Sequence, residues 1–443
     1  MTAIPHGISD ARCTSSGLRV VDPVGSLRAG ETQLDLQLRY VQENSSFYRA
    51  KWGAPRGRVS AGDLPTLPFT TRDELQSDQA ENGPFGSYLA ASPHQIARVH
   101  RTSGSTGKAL LIALSGADVD SAVERGAACF RAAGVLRSDV IVHCLNYCMW
   151  SGGVTDHLCL ERAGAAVIPF GVGNTTELIE ILLRVKPTGI HCTPSYLGRL
   201  EDRLRIDFGL SPLDLGLRIG LFGGEPGLQD RRFRSGIEKK WGFRAVDANY
   251  GMSEVLSIFG SECDARCGLH FEGGDAVLPE IRKADSDETL AFEPGSVGEL
   301  VLTHLQRQCQ PLVRYRTGDV VEVLSTDRCA CGRGTPRFRV VGRVDEMIVV
   351  RGLNVFPSAI AEVIHQFGEL LSGEFNVLVN ACDPISRVII KAESAGIATD
   401  LTAIAKLRDA LFHQLRLRPE IEVVPRGALT GGEGKAKRVR RVL

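Results

Sequence analysis

Residues 102–108 read Thr102-Ser103-Gly104-Ser105-Thr106-Gly107-Lys108, and this short stretch decides how the rest of the chain is interpreted. A Walker A loop has four residues between its first glycine and its Gly-Lys pair, but here only Ser105 and Thr106 lie between them. The stretch is therefore not the loop of a P-loop NTPase. Its hydroxyls and its lysine are donors that can surround a triphosphate, and its glycines let the main chain approach closely. We interpret it as a phosphate-binding loop of another class.

Four short segments follow this loop in a fixed order, and a Gly-Lys pair lies near the end of the chain. They are Gly223-Gly224-Glu225-Pro226, Tyr250-Gly251-Met252-Ser253-Glu254, Tyr315-Arg316-Thr317-Gly318-Asp319, Gly342-Arg343-Val344-Asp345-Glu346 and Gly434-Lys435. With the loop, this series resembles the adenylate-forming superfamily of acyl-CoA ligases, adenylation domains and luciferases. Within that superfamily it resembles the phenylacetate–CoA ligases most. The resemblance runs through nearly the whole chain and implies an enzyme that uses ATP, Mg²⁺ and coenzyme A.

The resemblance also implies which residues carry the chemistry. Lys108 and its loop would hold the β- and γ-phosphates, and Glu254 would hold Mg²⁺. Lys435 would enter the active site on a mobile C-terminal lid during the first half-reaction. The catalytic candidates are therefore Lys435, Glu254 and Lys108, and the lid would rotate about a hinge at Asp345.

The nucleotide would be bound by the segments in the middle of the chain. Asp319 resembles the carboxylate that accepts hydrogen bonds from both ribose hydroxyls, and Arg343 is its usual partner. The Gly223 segment would form the wall on the adenine side, and Tyr250 would stack on the base or its sugar. The nucleotide-binding candidates are Thr102, Ser103, Gly104, Ser105, Thr106, Gly107, Gly223, Gly224, Glu225, Pro226, Asn249, Tyr250, Gly251, Met252, Ser253, Asp319 and Arg343.

A glycine pair preceded by aromatic residues is the candidate pocket for the acid. Gly152 and Gly153 leave room for a flat ring, while the residues before them supply apolar walls. The candidate residues are Tyr147, Met149, Trp150, Ser151, Gly152, Gly153 and Ala248, with Asn249 beside them. His191 lies on an apolar strand and is expected to be a core histidine. The predicted substrate is a small aromatic carboxylic acid, either phenylacetate-like or benzoate- and anthranilate-like.

Two groups of cysteines flank a histidine in the second half of the chain. Thiolates and imidazole together suit a closed, tetrahedral and structural Zn²⁺ site. Some relatives of the phenylacetate–CoA ligases carry such a site, with a cysteine ahead of Gly-Leu-His, which favours Cys263 over Cys267. The predicted zinc ligands are Cys263, His270, Cys329 and Cys331. The open alternative is a set of free, buried cysteines.

Composition limits the classes of partner. Hydrophobic residues make up 43% of the 443 residues, and 52 Lys and Arg balance 52 Asp and Glu. No overall charge therefore favours nucleic acid or an anionic membrane. The N-terminal residues lack the pattern of a secretory signal, and the longest uncharged stretch, 140–155, is too short to span a membrane. We expect a cytoplasmic enzyme with reduced cysteines.

The hydrophobic pattern predicts an α/β fold in two domains. Strands at 140–144, 165–170, 189–193 and 217–222 alternate with helices at 154–163, 175–185 and 229–241, as in a parallel sheet covered by helices. Short strands at 299–303, 319–324 and 337–341 then predict a small β subdomain. The chain from 345 onward predicts an α+β lid with two helices on a three-stranded sheet. The predicted domains are 1–344, for ATP and the acid, and 345–443, the lid.

The sequence therefore predicts an AMP-forming acid–thiol ligase. It would form an acyl-adenylate from the acid and ATP, and the lid would then rotate so that the thiol of coenzyme A displaces AMP. Two alternatives stay open: transfer to a carrier-protein thiol or an amine, and a non-catalytic adenylate-binding module. A homodimer is an open alternative for the state of assembly.

Overall fold

The computed structural model describes residues 32–53, 57–102, 109–225, 227–284, 286–350, 353–380, 385, 387–396, 401–429 and 438–442. Within these ranges the chain forms a large mixed α/β domain and a smaller α+β unit at its C-terminal end, which confirms the predicted fold class. Among the helices of these ranges, none combines the length and the apolar character that crossing a membrane requires.

Three short helices and a hairpin precede the main sheet. The helices are α1 (Gln33–Asn44), α2 (Ser46–Lys51) and α3 (Arg72–Asn82), and the antiparallel hairpin pairs β1 (Ile96–Arg101) with β2 (Leu111–Ser115). Thr32, Ser45 and Thr71 accept main-chain hydrogen bonds from the first turns of these helices, as N-cap residues do. The hairpin brings the two ends of the predicted phosphate loop together.

The parallel half of the sheet follows. Its elements are α4 (Gly116–Ala132), β3 (Val140–His143), α5 (Ser151–Ala163), β4 (Ala166–Ile168), α6 (Thr175–Val185), β5 (Gly189–Cys192), α7 (Pro194–Arg203), β6 (Ile219–Gly223), α8 (Arg231–Trp241) and β7 (Arg244–Met252). The strands run parallel in the order β4-β3-β5-β6-β7. One core packs against α4 and α5 and includes Phe130, and another lies on the opposite face and includes Trp241. The predicted alternation of strands and helices is confirmed, because apolar runs covered on both faces are typical of parallel strands.

The second half of the sheet is antiparallel. Its strands are β8 (Leu256–Glu262), β9 (Leu269–Phe271), β10 (Val277–Arg282), β11 (Thr289–Leu290), β12 (Val297–His304), β13 (Tyr315–Ser325) and β14 (Arg337–Arg343). In the described part of the chain, one sheet of twelve strands runs in the order β11-β10-β12-β13-β14-β9-β8-β7-β6-β5-β3-β4. The strands predicted for the small β subdomain are present as β12, β13 and β14, and they are continuous with the parallel strands. The β7–β8 hairpin extends the parallel sheet directly into the antiparallel strands.

The C-terminal unit has its own sheet and core. Its elements are β15 (Ile348–Val350), β16 (Leu353–Val355), α9 (Pro357–His365), β17 (Leu371–Asn380), β18 (Val388–Ser394), α10 (Leu401–Leu415), β19 (Glu420–Val424) and β20 (Val439–Val442). Among its described residues the sheet has four strands, in the order β19-β18-β17-β20, and β15 pairs with β16 apart from it. The three-stranded prediction is thus wrong. The basic C-terminal residues form β20, which pairs in parallel with β17.

The lid contacts the large domain through α9. The Nδ1 atom of His365 lies 3.1 Å from Oδ2 of Asp230, the N-cap residue of α8. The His365 ring also stacks on Phe233, with 4.6 Å between ring centroids. A second ion pair joins Arg426 of the lid to Asp202 of α7 at 3.2 Å. These contacts join the C-terminal unit to α7 and α8 of the large domain.

Candidate active site

The hairpin β1–β2 closes the base of the predicted phosphate loop. The main-chain N–H of Thr102 donates to the carbonyl of Leu110 at 3.0 Å, and the N–H of Leu110 donates to Oγ1 of Thr102 at 2.9 Å. Residues Ser103, Gly104, Ser105, Thr106, Gly107 and Lys108 lie outside the described residues. These two hydrogen bonds therefore hold Thr102 and Leu110, which flank the predicted loop, next to each other.

Glu254 lies beside this hairpin, in the tight turn between β7 and β8. Its side chain is buried, and its Oε1 atom accepts a hydrogen bond from Nη1 of Arg72 at 2.6 Å. The Nη2 atom of Arg72 donates to Oγ1 of Thr102 at 2.8 Å. One guanidinium at the start of α3 thus joins the Mg²⁺ candidate to the base of the phosphate loop. Sequence reasoning missed Arg72, although it directly follows Leu67-Pro-Phe-Thr-Thr71, a segment that contributes to the family resemblance.

The Tyr-Gly motif and the Gly-Asp motif meet across the sheet. The hydroxyl of Tyr250 donates to Oδ2 of Asp319 at 2.9 Å, and Nη1 of Arg343 donates to Oδ1 at 2.6 Å. Asp319 and Arg343 are paired directly between β13 and β14. Burial raises the pKa of Tyr250, and the charge of Asp319 raises it further, so the phenol stays protonated as the donor. The ring of Tyr250 packs edge-on against Phe259 and Phe338.

Arg343 also reaches the predicted hinge. Its Nε atom donates to Oδ1 of Asp345 at 2.8 Å, so one side chain bridges Asp319 and Asp345. A Cβ added at Gly318, whose φ is +76°, would lie 2.8 Å from Nη2 of Arg343, so this turn needs a glycine. Asp345 is exposed and lies in the short turn Val344–Glu346 that leads into the lid. The nucleotide candidates and the hinge candidate are therefore physically connected.

The Gly223 segment follows β6 at the carboxyl end of the sheet. Glu225 accepts from the side chain of Ser195 at 2.8 Å and from its main-chain N–H at 3.1 Å, which ties the segment to the start of α7. A Cβ added at Gly223 would overlap the side chain of Asn249. Pro226 lies outside the described residues. Ligands of open α/β sheets bind at this edge, and the structure brings the glycine segment and the Tyr-Gly motif together there.

The segment before the glycine pair is held against β1. The carbonyl of Met149 accepts from the N–H of Arg101 at 2.8 Å, and Met149 itself is exposed with a φ of +58°. The hydroxyl of Tyr147 lies 2.9 Å from Nδ1 of His157. Trp150 is half-buried and lies at the N-cap of α5.

The two glycines of this pair contact the chain's own atoms. A Cβ at Gly152 would lie 3.0–3.1 Å from the indole carbons of Trp150, and a Cβ at Gly153 would overlap the main chain of 146–147. The expected space for a flat ring is therefore occupied by main chain at Gly153 and by the indole at Gly152. The indole itself extends to Gly224, where an added Cβ would lie 3.9 Å from it. Trp150 is thus the side chain that separates the glycine pair from the glycine segment.

The other residues predicted near the acid differ in their burial and in their hydrogen bonds. Ser151 bonds to Ser253 through their hydroxyls at 2.7 Å, which joins α5 to the Glu254 turn. Ala248 is fully buried in the apolar core against α4 and α5. Its neighbour Asn249 is half-buried and reaches the site instead. His191 is fully buried and hydrogen-bonded, as predicted for a core histidine.

The cysteines and the histidine converge at the far end of β8. The ligand atoms of Cys263, His270, Cys329 and Cys331 all lie within 4.8 Å of one another. Sγ of Cys263 is 3.8 Å from Sγ of Cys329, and Nε2 of His270 is 3.5 Å from Sγ of Cys331. Nearby, Cys267 lies 3.5 Å from Cys329 and accepts from Arg337. β8 separates this cluster from Glu254 by roughly 20 Å, at about 3.3 Å per residue.

Lys435, the remaining catalytic candidate, lies outside the described residues. The described chain before it ends at 429 and resumes at 438.

The sequence matches two protein families, and it is similar to named enzymes. Residues 52–306 match the AMP-binding enzyme family, and residues 352–441 match the AMP-binding enzyme C-terminal domain. The chain is 33% identical over 435 residues to the phenylacetate-coenzyme A ligase of Escherichia coli (strain K12), covering 94% of this chain and 95% of that one.

Solved structures of a related enzyme resemble the whole chain. A 2-hydroxyisobutyryl-CoA ligase in the postadenylation state is 25% identical, with a TM-score of 0.82 over 93% of this chain and 88% of that one. The thioesterification state of that ligase, at the same identity and with 92% and 88% covered, has a TM-score of 0.66. The chain belongs to the AMP-binding enzyme family and is an AMP-forming acid–thiol ligase.

Proposed function

We propose that this enzyme activates a small aromatic carboxylic acid with ATP and transfers the acyl group to coenzyme A. The observation that carries the proposal is the convergence of two polar clusters at one edge of the sheet. Arg72 joins Glu254 to Thr102 on one side, and Asp319 bonds Tyr250 and Arg343 on the other. The first cluster suits phosphates and the second suits a ribose. The names of the related ligases support an acid and coenzyme A as the other substrates.

The chemistry requires two anions to be held together. In the first half-reaction a carboxylate oxygen would attack the α-phosphorus, and the bond to the leaving pyrophosphate would break. In the second, the sulfur of coenzyme A would attack the acyl carbonyl, losing its proton, and AMP would leave. The protein supplies positioning and positive charge, from Lys108 in the loop and Lys435 on the lid. Asp319 would orient the ribose, because hydrogen bonds from Tyr250 and Arg343 hold its two carboxylate oxygens in place at the sheet edge.

Glu254 fits the proposed role toward Mg²⁺. Its Oε1 atom is bonded to Arg72, and no donor of the described residues is bonded to Oε2. A carboxylate oxygen is the ligand type that Mg²⁺ prefers. When bound, the ion would neutralise charge on the phosphates. Arg72 would then stay bonded to Oε1 of Glu254, while Oε2 faces the ion.

Replacing Arg72 with methionine should raise the KM for ATP by about 10- to 100-fold. The change frees the Glu254 carboxylate and the Thr102 hydroxyl from the guanidinium that positions them. A loss in ATP binding equal to one hydrogen bond to a charged group, about 1.5–3 kcal/mol, corresponds to that range. The matched control is Arg49→Met, because the guanidinium of Arg49 is bonded to the main-chain carbonyls of Gln42 and Glu43. Initial rates of pyrophosphate release at varied ATP and Mg²⁺ measure the effect. An unchanged KM for ATP would show that the Arg72 contacts are only structural.

The acid would bind beside the Trp150 indole, where the indole meets the glycine segment. The indole covers Gly152 and reaches Gly224, and Thr193 lines the same space at 3.8 Å from a Cβ built on Gly224. An aromatic wall beside a small space suits a flat ring better than a long acyl chain. The candidates Tyr147, Met149 and Ser151 lie on the loop and helix end that carry this indole. This supports a small aromatic acid, phenylacetate-like or benzoate-like.

Replacing Gly152 with valine should raise the KM for the acid by about tenfold or more and leave the KM for ATP nearly unchanged. The new side chain would displace the Trp150 indole, which contacts Gly152 at 3.0–3.1 Å. Gly198→Val is a matched control, because Gly198 lies on a helix and nothing lies within 4 Å of its added Cβ. An equal rise for both substrates would contradict the proposed position of the acid.

One experiment tests the proposed function as a whole. Pyrophosphate release is measured with purified enzyme, ATP and a panel of aryl and arylacetic acids, with and without coenzyme A, and the thioester is identified by mass. We expect release with at least one aromatic acid and formation of its CoA thioester. Release without thioester would favour a carrier-protein or amine acceptor, and no release with any acid would overturn the proposal.

We also propose that the Cys/His cluster binds one structural Zn²⁺. With Zn–S bonds of about 2.3 Å and Zn–N bonds of about 2.0–2.1 Å, tetrahedral angles require S···S and S···N separations of roughly 3.8 and 3.6 Å. The 3.8 Å between Cys263 and Cys329 and the 3.5 Å between Cys331 and His270 fit these values. Thr335 accepts from Nδ1 of His270 at 2.9 Å, which leaves the lone pair on Nε2 for the metal. The ion would join β8 and β9 to the β13–β14 turn.

A further inference from the structure

A chain of polar side chains lies beneath the pocket proposed for the acid, and the roles proposed above leave it unexplained. It runs from the carbonyl of Gly153 through His143 and His191 to Asn249, and it ends at Asp156. His143, His191 and Asp156 have no exposed surface. Buried polar groups are costly unless each forms its hydrogen bonds, so the direction of every bond in this chain is constrained.

The carbonyl of Gly153 determines the direction of the chain. A carbonyl only accepts, so Nε2 of His143, at 2.9 Å, carries the proton. Burial lowers the pKa of His143 to about 4 and that of His191 well below its usual value, so both rings are neutral near pH 7. Nδ1 of His143 is then an acceptor, and Nδ1 of His191, 2.9 Å away, donates to it. Nε2 of His191 is left as an acceptor, 3.4 Å from Nδ2 of Asn249.

Asp156 accepts a hydrogen bond from the other N–H of the Asn249 amide. Its Oδ2 atom accepts from Nδ2 of Asn249 at 2.5 Å, and its Oδ1 atom lies 2.5 Å from the hydroxyl of Ser257. Burial raises the pKa of Asp156 to about 8, although the bonds from Ser257 and Asn249 lower it. Nε2 of His191 is an acceptor, so the atom of Asn249 that faces both this nitrogen and Oδ2 of Asp156 is the amide nitrogen. A proton retained by the carboxyl is then on Oδ1, facing Ser257. In either protonation state the amide nitrogen of Asn249 faces Asp156 and His191.

The carbonyl oxygen of Asn249 is the free end of this network. No donor of the described residues is bonded to Oδ1, and this atom is not among their buried unpartnered atoms, so it remains accessible. Asn249 packs on Gly223, and the next residue, Gly224, borders the space lined by Trp150 and Thr193. An amide flip would turn the oxygen toward two acceptors, Asp156 and His191. The chain therefore holds an acceptor beside the space proposed for the ring.

We propose that Oδ1 of Asn249 accepts a hydrogen bond from an amino, hydroxyl or ring N–H group on the acid, and that the enzyme thereby selects donor-bearing aromatic acids. The inference rests on the proposed function and names the substrate class of the same site. Asp156, His191 and His143 are positioning residues, since they act only through the orientation of Asn249. A site built to bond a substrate N–H or O–H rejects an analogue that lacks it, because its own polar group is left unpaired.

The test begins with the wild-type enzyme and pairs of acids. Benzoates and phenylacetates with an amino or hydroxyl group at each ring position are compared with the methyl analogue at the same position, by kcat/KM for pyrophosphate release. We expect a preference of about 10²-fold or more for the donor at one position. Equal use of donor and methyl analogues at every position would overturn the inference but leave the proposed function intact. No release with any of these acids would overturn the proposed function itself.

Two variants then assign the preference to Asn249. Asn249→Leu should reduce the donor-to-methyl ratio of kcat/KM to near one. Asp156→Val should reduce the ratio in the same way, whereas Asp156→Asn, which keeps an acceptor for the amide, should restore it. Thr155→Val is the matched control, because Thr155 is buried on the same helix and bonds to His100 at 3.1 Å. A ratio that survives Asn249→Leu would overturn the inference.

Discussion

Replacing Lys435 with alanine is expected to slow acyl-adenylate formation by about 10²–10³-fold, which corresponds to roughly 3–4 kcal/mol of transition-state stabilisation. A residue on a rotating lid can occupy the active site in only one of its two orientations. The variant should therefore convert chemically supplied acyl-AMP to the thioester at close to the normal rate. Pyrophosphate release measures the first half-reaction, and thioester formation from synthetic acyl-AMP measures the second.

Asp345→Pro is expected to give the opposite profile. Asp345 lies in the turn Val344–Glu346 between the sheet and the lid, and proline fixes the backbone angle φ that rotation must change. A hindered rotation should therefore leave adenylation intact and impair thioester formation. Asp345→Ala is the control, because it removes only the bond to Arg343. If Lys435→Ala and Asp345→Pro lose the same half-reaction, the two-orientation lid is wrong for this chain.

Removing the zinc proposed for the Cys/His cluster is expected to lower the stability of the fold. Structural Zn²⁺ binds with on the order of 10 kcal/mol in small peptides, and part of that energy stabilises the fold. Cys331→Ser should therefore remove the zinc and lower the Tm by roughly 5–10 °C. The kcat of the remaining folded enzyme should change little, since the cluster lies at the opposite end of β8 from Glu254.

Metal analysis of tag-free protein prepared without chelator decides whether the site binds zinc. We expect one zinc per chain in the wild type and in Cys267→Ser, because Cys267 lies next to the cluster and is not among the four proposed ligands. A zinc content near zero in the wild type would contradict the proposal. Loss of zinc in Cys267→Ser, with retention in Cys263→Ser, would show that the other cysteine is the ligand.

The family and the layout of the large domain could be predicted from the sequence because both depend on local pattern. Phosphate-loop spacing and motif order are linear properties of the chain. Short apolar runs separated by amphipathic helices indicate a parallel sheet whatever its neighbours are. The predicted strand at 189–193 is β5 (Gly189–Cys192), and the predicted helix at 175–185 is α6 (Thr175–Val185). The Cys/His group could be proposed because its donor types are distinctive.

Other features depend on partners that are far apart in the chain. Arg72 meets Glu254 across 182 residues, and the segment 67–71 before it does not indicate which residue it contacts. The basic C-terminal residues form β20 only because β17 offers them a free edge. The β7–β8 hairpin merges the expected subdomain into one sheet. Ala248 and Asn249 are adjacent, yet the alternation of side chains along a strand buries the first and turns the second toward the site.

The sequence by itself determined the class of chemistry, since the motifs that hold ATP are short, ordered and made of residue types that suit phosphates, a ribose and a metal. Only the tertiary structure decided how the pocket for the acid is built. It places the Trp150 indole on Gly152 and joins His143, His191, Asn249 and Asp156, which come from four separate elements, into one chain of hydrogen bonds. The physical reason is that a buried hydrogen bond acquires its direction and strength from groups that meet only when the chain is folded.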